Sequence, residues 1–100
     1  MHAPVIAVDV CVGRRGVAML RAAGYDVIEA QHAESDREWF ARALAAGAVL
    51  VVSGDSDIEI AAYDADVRFL HVQRGEDGCD IARRVIAMRY ESPQADKGAG

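Results

Sequence analysis

The sequence has little of what would mark a secreted, membrane-embedded or strongly basic protein. It carries two cysteines, Cys11 and Cys79, in 100 residues, too few and too far apart to outline a disulfide framework. Two reduced thiols, packed as small apolar side chains, are the expectation, and they suit a reducing compartment. The longest apolar run, Ala43 to Val52, is broken by Gly47 and falls short of the roughly 18 residues that a membrane span needs. The start, Met1-His2-Ala3-Pro4, has neither the basic nor the apolar region of a secretory signal, so a cytoplasmic location is expected. Aromatic residues make up only 6% of the chain, so the 52% apolar content rests largely on alanine and valine. That is enough for one modest core in one domain, and too little chain for two.

Positive charge is also scarce. Eleven Lys and Arg stand against sixteen Asp and Glu, a net charge of −5, which disfavours nucleic-acid binding by electrostatics alone. The excess is localised. Residues 1–50 carry six acids and five arginines, and residues 71–100 carry five acids and five bases. Residues 51–70 set Asp55, Asp57, Glu59, Asp64 and Asp66 against Arg68 alone, so four of the five excess charges lie there.

The pattern along the chain alternates strands with helices. Val5 to Val10 is an apolar run with one Asp near its end, the signature of a buried parallel strand. A helix is expected over Arg14–Ala23, ended by Gly24. Tyr25 to Ala30 reads as a second strand. Ser35-Asp36-Arg37-Glu38 is a capping box that opens a second helix, with Trp39, Phe40, Ala43 and Leu44 on its apolar face and Gly47 at its close. Ala48 to Ser53 is the most apolar strand. A short helix over Asp57–Tyr63, a strand over Val67–Val72 and a helix over Glu76–Tyr90 complete residues 1–90 as a single domain. Residues 91–100, polar with Pro and Gly, read as a disordered tail.

Right-handed crossovers between parallel strands leave few topologies for this order. We expect a three-layer α/β/α domain with a four-stranded parallel sheet, the two most apolar strands central, in the order 2-1-3-4. Ligands of such sheets bind at the carboxyl ends of the strands, here between strands 1 and 3. Asp9, Asp36, Asp55 and Asp57 are expected there. Four converging carboxylates repel unless a cation is bound, and hard oxygen donors with little histidine suit Mg²⁺ or Mn²⁺. Each also has a plainer role. Asp36 suits the first turn of a capped helix, and Asp55-Ser56-Asp57 suits an Asx turn. A carboxylate within an apolar strand, Asp9, requires a partner. Residues 55–59 hint at a calcium loop, but Ile60 occupies the position where that loop needs glycine.

These landmarks resemble a minimal PIN-like domain of the short toxin type. They are Asp9 closing strand 1, the Ser35-Asp36 helix start, and the block Gly47-Ala48-Val49-Leu50-Val51-Val52-Ser53-Gly54-Asp55-Ser56-Asp57. The resemblance spans residues 5 to about 72. It implies a metal-dependent endoribonuclease in which Asp9, Asp36, Asp55 and Asp57 hold Mg²⁺ or Mn²⁺ and serve catalysis. It also implies a single-stranded RNA substrate and, for a toxin of a toxin–antitoxin pair, an antitoxin or other protein partner, with a homodimer as a further arrangement. Two features depart from the pattern: Val10-Cys11-Val12-Gly13 replaces an acidic or amide residue and a Leu-Pro-like turn, and Ile58 replaces an aromatic.

Arg14 and Arg15, in the first turn of the first helix, are candidates to grip substrate phosphates; a solvated helix start is their plainer reading. His71 ends strand 4 on the same edge and is a candidate to touch substrate; a rim residue is its plainer reading. Ser53-Gly54 lacks the lysine and spacing of a phosphate-binding P-loop. Two other readings stand beside the nuclease: a non-catalytic PIN-like or receiver-like module that binds a protein, and a small metal-dependent phosphatase acting on mononucleotides.

Overall fold

A computed structural model describes residues 3–88. The tail expected at 91–100 and residues 89–90, expected to end the last helix, lie outside the described residues. Four strands, β1 (Val5–Val8), β2 (Asp26–Glu29), β3 (Leu50–Ser53) and β4 (Arg68–His71), form one sheet in the order β2-β1-β3-β4. All pairings are parallel. Four helices join them: α1 (Gly13–Ala22), α2 (Asp36–Ala45), α3 (Ser56–Asp64) and α4 (Gly78–Ala87). The expected three-layer parallel architecture and strand order are therefore present.

The sheet separates two cores. On one face α1 and α4 cover Ile6, Val8, Leu50 and Val52 with Val17, Leu20, Ile81 and Val85. On the other, α2 and α3 cover Ala7 and Val51 with Trp39, Phe40, Ala43, Ile58 and Ala62. Alternate residues of β1 and β3 thus serve opposite faces, as the two-residue period of a strand demands. All four residues of β3 are buried, the mark of a central strand covered on both sides.

The strands are shorter than the apolar runs suggest, because capping interactions claim their ends. Asp9 has left β1 and caps a 3₁₀ turn over Val10–Val12, accepting a bond from Val10 N through Oδ1 at 2.7 Å. The expected first strand to Val10 is corrected accordingly. The last helix begins at Gly78 rather than Glu76, with Asp77 as N-cap accepting from Cys79 N and Asp80 N. Gly78 is required there: a Cβ would lie 1.8 Å from the Val12 carbonyl oxygen. A Cβ on Gly16 of α1 would in turn meet the Gly78 carbonyl oxygen at 2.6 Å. Glycine at both positions lets α1 and α4 approach backbone to backbone.

The second helix is fixed at both ends. Ser35 Oγ accepts from Glu38 N while Glu38 Oε1 accepts from Ser35 N, completing the expected capping box. The buried Trp39 donates its indole N–H to Ile28 O of β2 at 3.2 Å. Arg42 donates to Glu29 O and to both carboxylate oxygens of Glu34. These bonds tie α2 across β2 and set where its first residue, Asp36, stands.

A carboxylate site at the carboxyl ends of the central strands

Three strand ends line up on the face covered by α2 and α3. Val51 is in register with Ala7 on one side and Phe69 on the other. Two residues further, Ser53 is in register with His71, and Asp9 follows Ala7 by the same step. Because side chains alternate along a strand, Ser53 and His71 stand side by side on that face, and Asp9, just past the end of β1, completes the row through its bond with Ser53.

Ser53 organises this row. Its hydroxyl is fully buried and donates to Asp9 Oδ2 at 3.0 Å. The same oxygen accepts from Asp55 N at 3.1 Å. A buried hydroxyl must be satisfied, and this one is satisfied by the two chain ends that carry the acids. Its committed proton and lack of exposure also exclude Ser53 as a nucleophile. Reading from sequence missed Ser53, although a hydroxyl closing an otherwise apolar strand is a signal that a polar partner must be near.

The turn after Ser53 is equally constrained. A Cβ on Gly54 would lie 2.8 Å from Val72 O, so the chain passes close under the β4 end. Asp55 then caps α3, accepting from Asp57 N through Oδ1 at 2.8 Å. The plainer role of Asp55, an Asx-type cap, is therefore real, and it leaves Oδ2 outside that bond.

Asp36 meets Asp55 from the opposite side. A hydrogen bond with the Asp55 carboxyl is the main reason the Asp36 carboxyl is held above its ordinary range; partial desolvation and the negative charges of Asp9 and Asp55 push it the same way. The structure thus brings Asp36, Asp55 and Asp9 within electrostatic reach. Asp57 lines, with Asp36 and Asp55, a cavity of about 750 Å³ between α2 and α3 that Phe40, Leu44, Ile58, Ile60 and Ala61 also line. Asp9 opens instead onto a second cavity of about 730 Å³ beside α1, which Arg14, Arg21 and Glu29 also line. Arg14 therefore stands on the Asp9 side of the site. Arg15 is exposed and does not line that cavity.

Among the described residues, no three His, Cys, Asp or Glu side chains stand close enough, as placed, to hold a metal ion. The donor chemistry nonetheless suits a hard divalent cation: neighbouring carboxylates that raise one another's proton affinity are the arrangement a bound cation relieves. Asp9 is already oriented by Ser53 and Val10 N, and each of its oxygens keeps a free lone pair.

Fold and site together define a parallel α/β/α domain with carboxylates gathered at the carboxyl ends of its two central strands. No family model, no curated protein and no solved structure matches the chain.

Proposed function

We propose that this protein is a metal-dependent endoribonuclease of the PIN-like type, cutting single-stranded RNA. The observation that carries this reading is the Asp36–Asp55 carboxyl pair beside the Ser53-held Asp9. Without a cation, like charges brought together there work against the fold; with Mg²⁺ or Mn²⁺ they become its ligands. Asp36, Asp55 and Asp9 would hold the ion, with Asp57 at the mouth of the cavity. Such an ion, when bound, supplies an activated water and neutralises charge on the phosphate. The chain's own contribution is placement. Ser53 fixes the Asp9 carboxylate, the α3 cap fixes Asp55, and Trp39 with the capping box fixes Asp36. Arg14, on the Asp9 side, is suited to hold a substrate phosphate, and Arg15 extends positive charge along the strand's path. An antitoxin-like partner belongs to the same reading.

A second reading, a protein-binding module, is favoured by the α2–α3 cavity, where Leu44 and Ile60 are exposed although both are large and apolar. Cleavage decides between the two. Labelled single-stranded RNA should be cut in Mn²⁺ and not in EDTA, and an Asp9→Asn/Asp55→Asn double variant should lose the activity. Melting curves provide the parallel readout. Saturating Mn²⁺, at about 100 times its dissociation constant, should add about 2.7 kcal/mol and raise Tm by roughly 10 °C or more. Cleavage that survives EDTA, or an equal metal shift in the double variant, refutes the proposal.

A further inference from the structure

The cavity between α2 and α3 is a groove with two unlike ends. Arg37, Phe40, Ala41 and Leu44 line it from α2, and Asp57, Ile60 and Ala61 line it from α3. Both sets follow the i, i+3, i+4 spacing that places side chains on one helical face. Each helix leads back into a strand of the same parallel sheet, so both N-termini lie at the carboxyl edge. Asp36, Asp55 and Asp57 therefore gather at one end, where Arg37 is the cation in the lining. Leu44 and Ile60 lie about two turns and one turn further along their helices, and Ile60 is 61% exposed. The ten residues of α2 span about 15 Å, the reach of a partner segment of about three helical turns.

Charge selects the occupant. A symmetric pairing of two copies through this face sets the same acids against each other. A nucleic acid or an anionic lipid surface brings its own negative charge to Asp36, Asp55 and Asp57. The Asp36 carboxyl is already held above its ordinary range by its neighbours, so an arriving cation relieves a repulsion that the free protein carries. Carboxylates at one end and apolar side chains beyond them are the complement of an amphipathic helix with a basic end. We propose that the α2–α3 groove docks such a helix from a protein partner, with Lys or Arg at the aspartates and aliphatic side chains against Phe40, Leu44 and Ile60. The inference rests on the protein-binding reading of this cavity and requires no bound metal ion.

The test titrates the whole protein, in EDTA, with labelled synthetic helical peptides followed by fluorescence anisotropy. Each peptide has leucines at i, i+3, i+4 and i+7, with arginine, glutamine or glutamate clustered at one end. The arginine peptide should bind about tenfold more tightly than the glutamine peptide, and the glutamate peptide should bind weakest. Ile60→Ser should weaken the arginine and glutamine peptides alike, by about tenfold. Leu44→Ser makes the same check from the other helix, and Tm of each variant shows that the fold is kept. Asp57→Asn should weaken the arginine peptide by about threefold or more and leave the glutamine peptide unchanged. Asp80→Asn, at an exposed acid of α4, should change neither. Equal affinity for the arginine and glutamate peptides overturns the basic partner alone. Binding that ignores both serine variants, or that spermine displaces as well as unlabelled peptide does, reduces the site to an acidic surface and overturns the groove. A dimer in sedimentation that Ile60→Ser abolishes makes a second copy the occupant instead. Failure of every peptide to bind overturns the protein-binding reading together with this inference, while RNA cleavage in Mn²⁺ tests the nuclease reading independently.

Discussion

The two faces of the sheet are built to different standards. The α1–α4 face is closed: glycines at 16 and 78 bring helices and 3₁₀ turn into backbone contact, and its buried side chains are aliphatic. The α2–α3 face has the larger aromatic anchors, Trp39 and Phe40, yet it leaves Leu44, Ile60 and Tyr63 in solvent. Three acids of the candidate site, Asp36, Asp55 and Asp57, stand at the end of this open face, and Asp9 opens toward α1. One face supplies rigidity by close approach. The other holds a few large side chains firmly and keeps the space between its helices free for chemistry or for a partner.

The sharpest way to break that contrast is within the open face itself. Trp39→Ala should cost about 3–5 kcal/mol, because it removes a fully buried ring and its bond to Ile28 O. Ile60→Ala, on the exposed side of α3, should change stability by less than about 0.5 kcal/mol. Denaturant unfolding of both variants measures the difference. Similar losses would mean that the exposed apolar residues are structural and that the face is not open.

On the closed face a smaller loss is expected from adding one carbon. Gly78→Ala places a methyl against the Val12 carbonyl and should cost about 1–3 kcal/mol. The helix gain of alanine over glycine, about 1 kcal/mol, would appear unopposed if the two backbones could separate. A stabilised Gly78→Ala would therefore show that the close approach is not required.

The smallest effect separates two acids at the start of α2 by the sign of their response to pH. The Glu34 carboxyl is lowered to about 2, chiefly by its bond with Arg42 and then by Gln31 N–H. Its contribution to stability is complete above the usual glutamate value of 4.5 and disappears as pH falls from there through about 2. Asp36 is raised, so the folded state holds its proton more tightly and gains stability as pH falls toward the ordinary aspartate value. Melting curves from neutral to acid pH should show Arg42→Ala with a shallower acid loss than the parent. Asp36→Asn should show a steeper one. Reversed slopes would place the carboxylate strain elsewhere than at Asp36.

How much of this was legible in the sequence follows from the range of the interactions. Periodicity and apolar runs led to the strand order, since burial on both faces leaves a strong mark in Val51 and Val52. The capping box at Ser35 was visible because both its partners lie within four residues. Boundaries were less visible where a cap competes with a strand. The first strand was expected to run to Val10, but the Asp9 side chain turns to Val10 N and the strand ends at Val8. Ser53 was missed because its meaning depends on Asp9, far away in the chain, and on an amide two residues ahead. The four aspartates were expected together; the structure puts Asp36 against Asp55 and Asp9 on the other side of the row, a division that no local pattern encodes.

The contact between Gly78 and Val12 has a bearing on how the protein is made. The first helix cannot reach its final seat until a residue more than sixty positions later has arrived to close against it. On a ribosome that residue emerges only after all four strands, so the first part of the fold waits for the last helix. Long-range closure of this kind slows folding and leaves intermediates with apolar surface uncovered. During that wait the faces of α1 and of the sheet that α4 covers are the surfaces a chaperone would have to shield. A shortened chain that ends before α4 would keep them exposed for good.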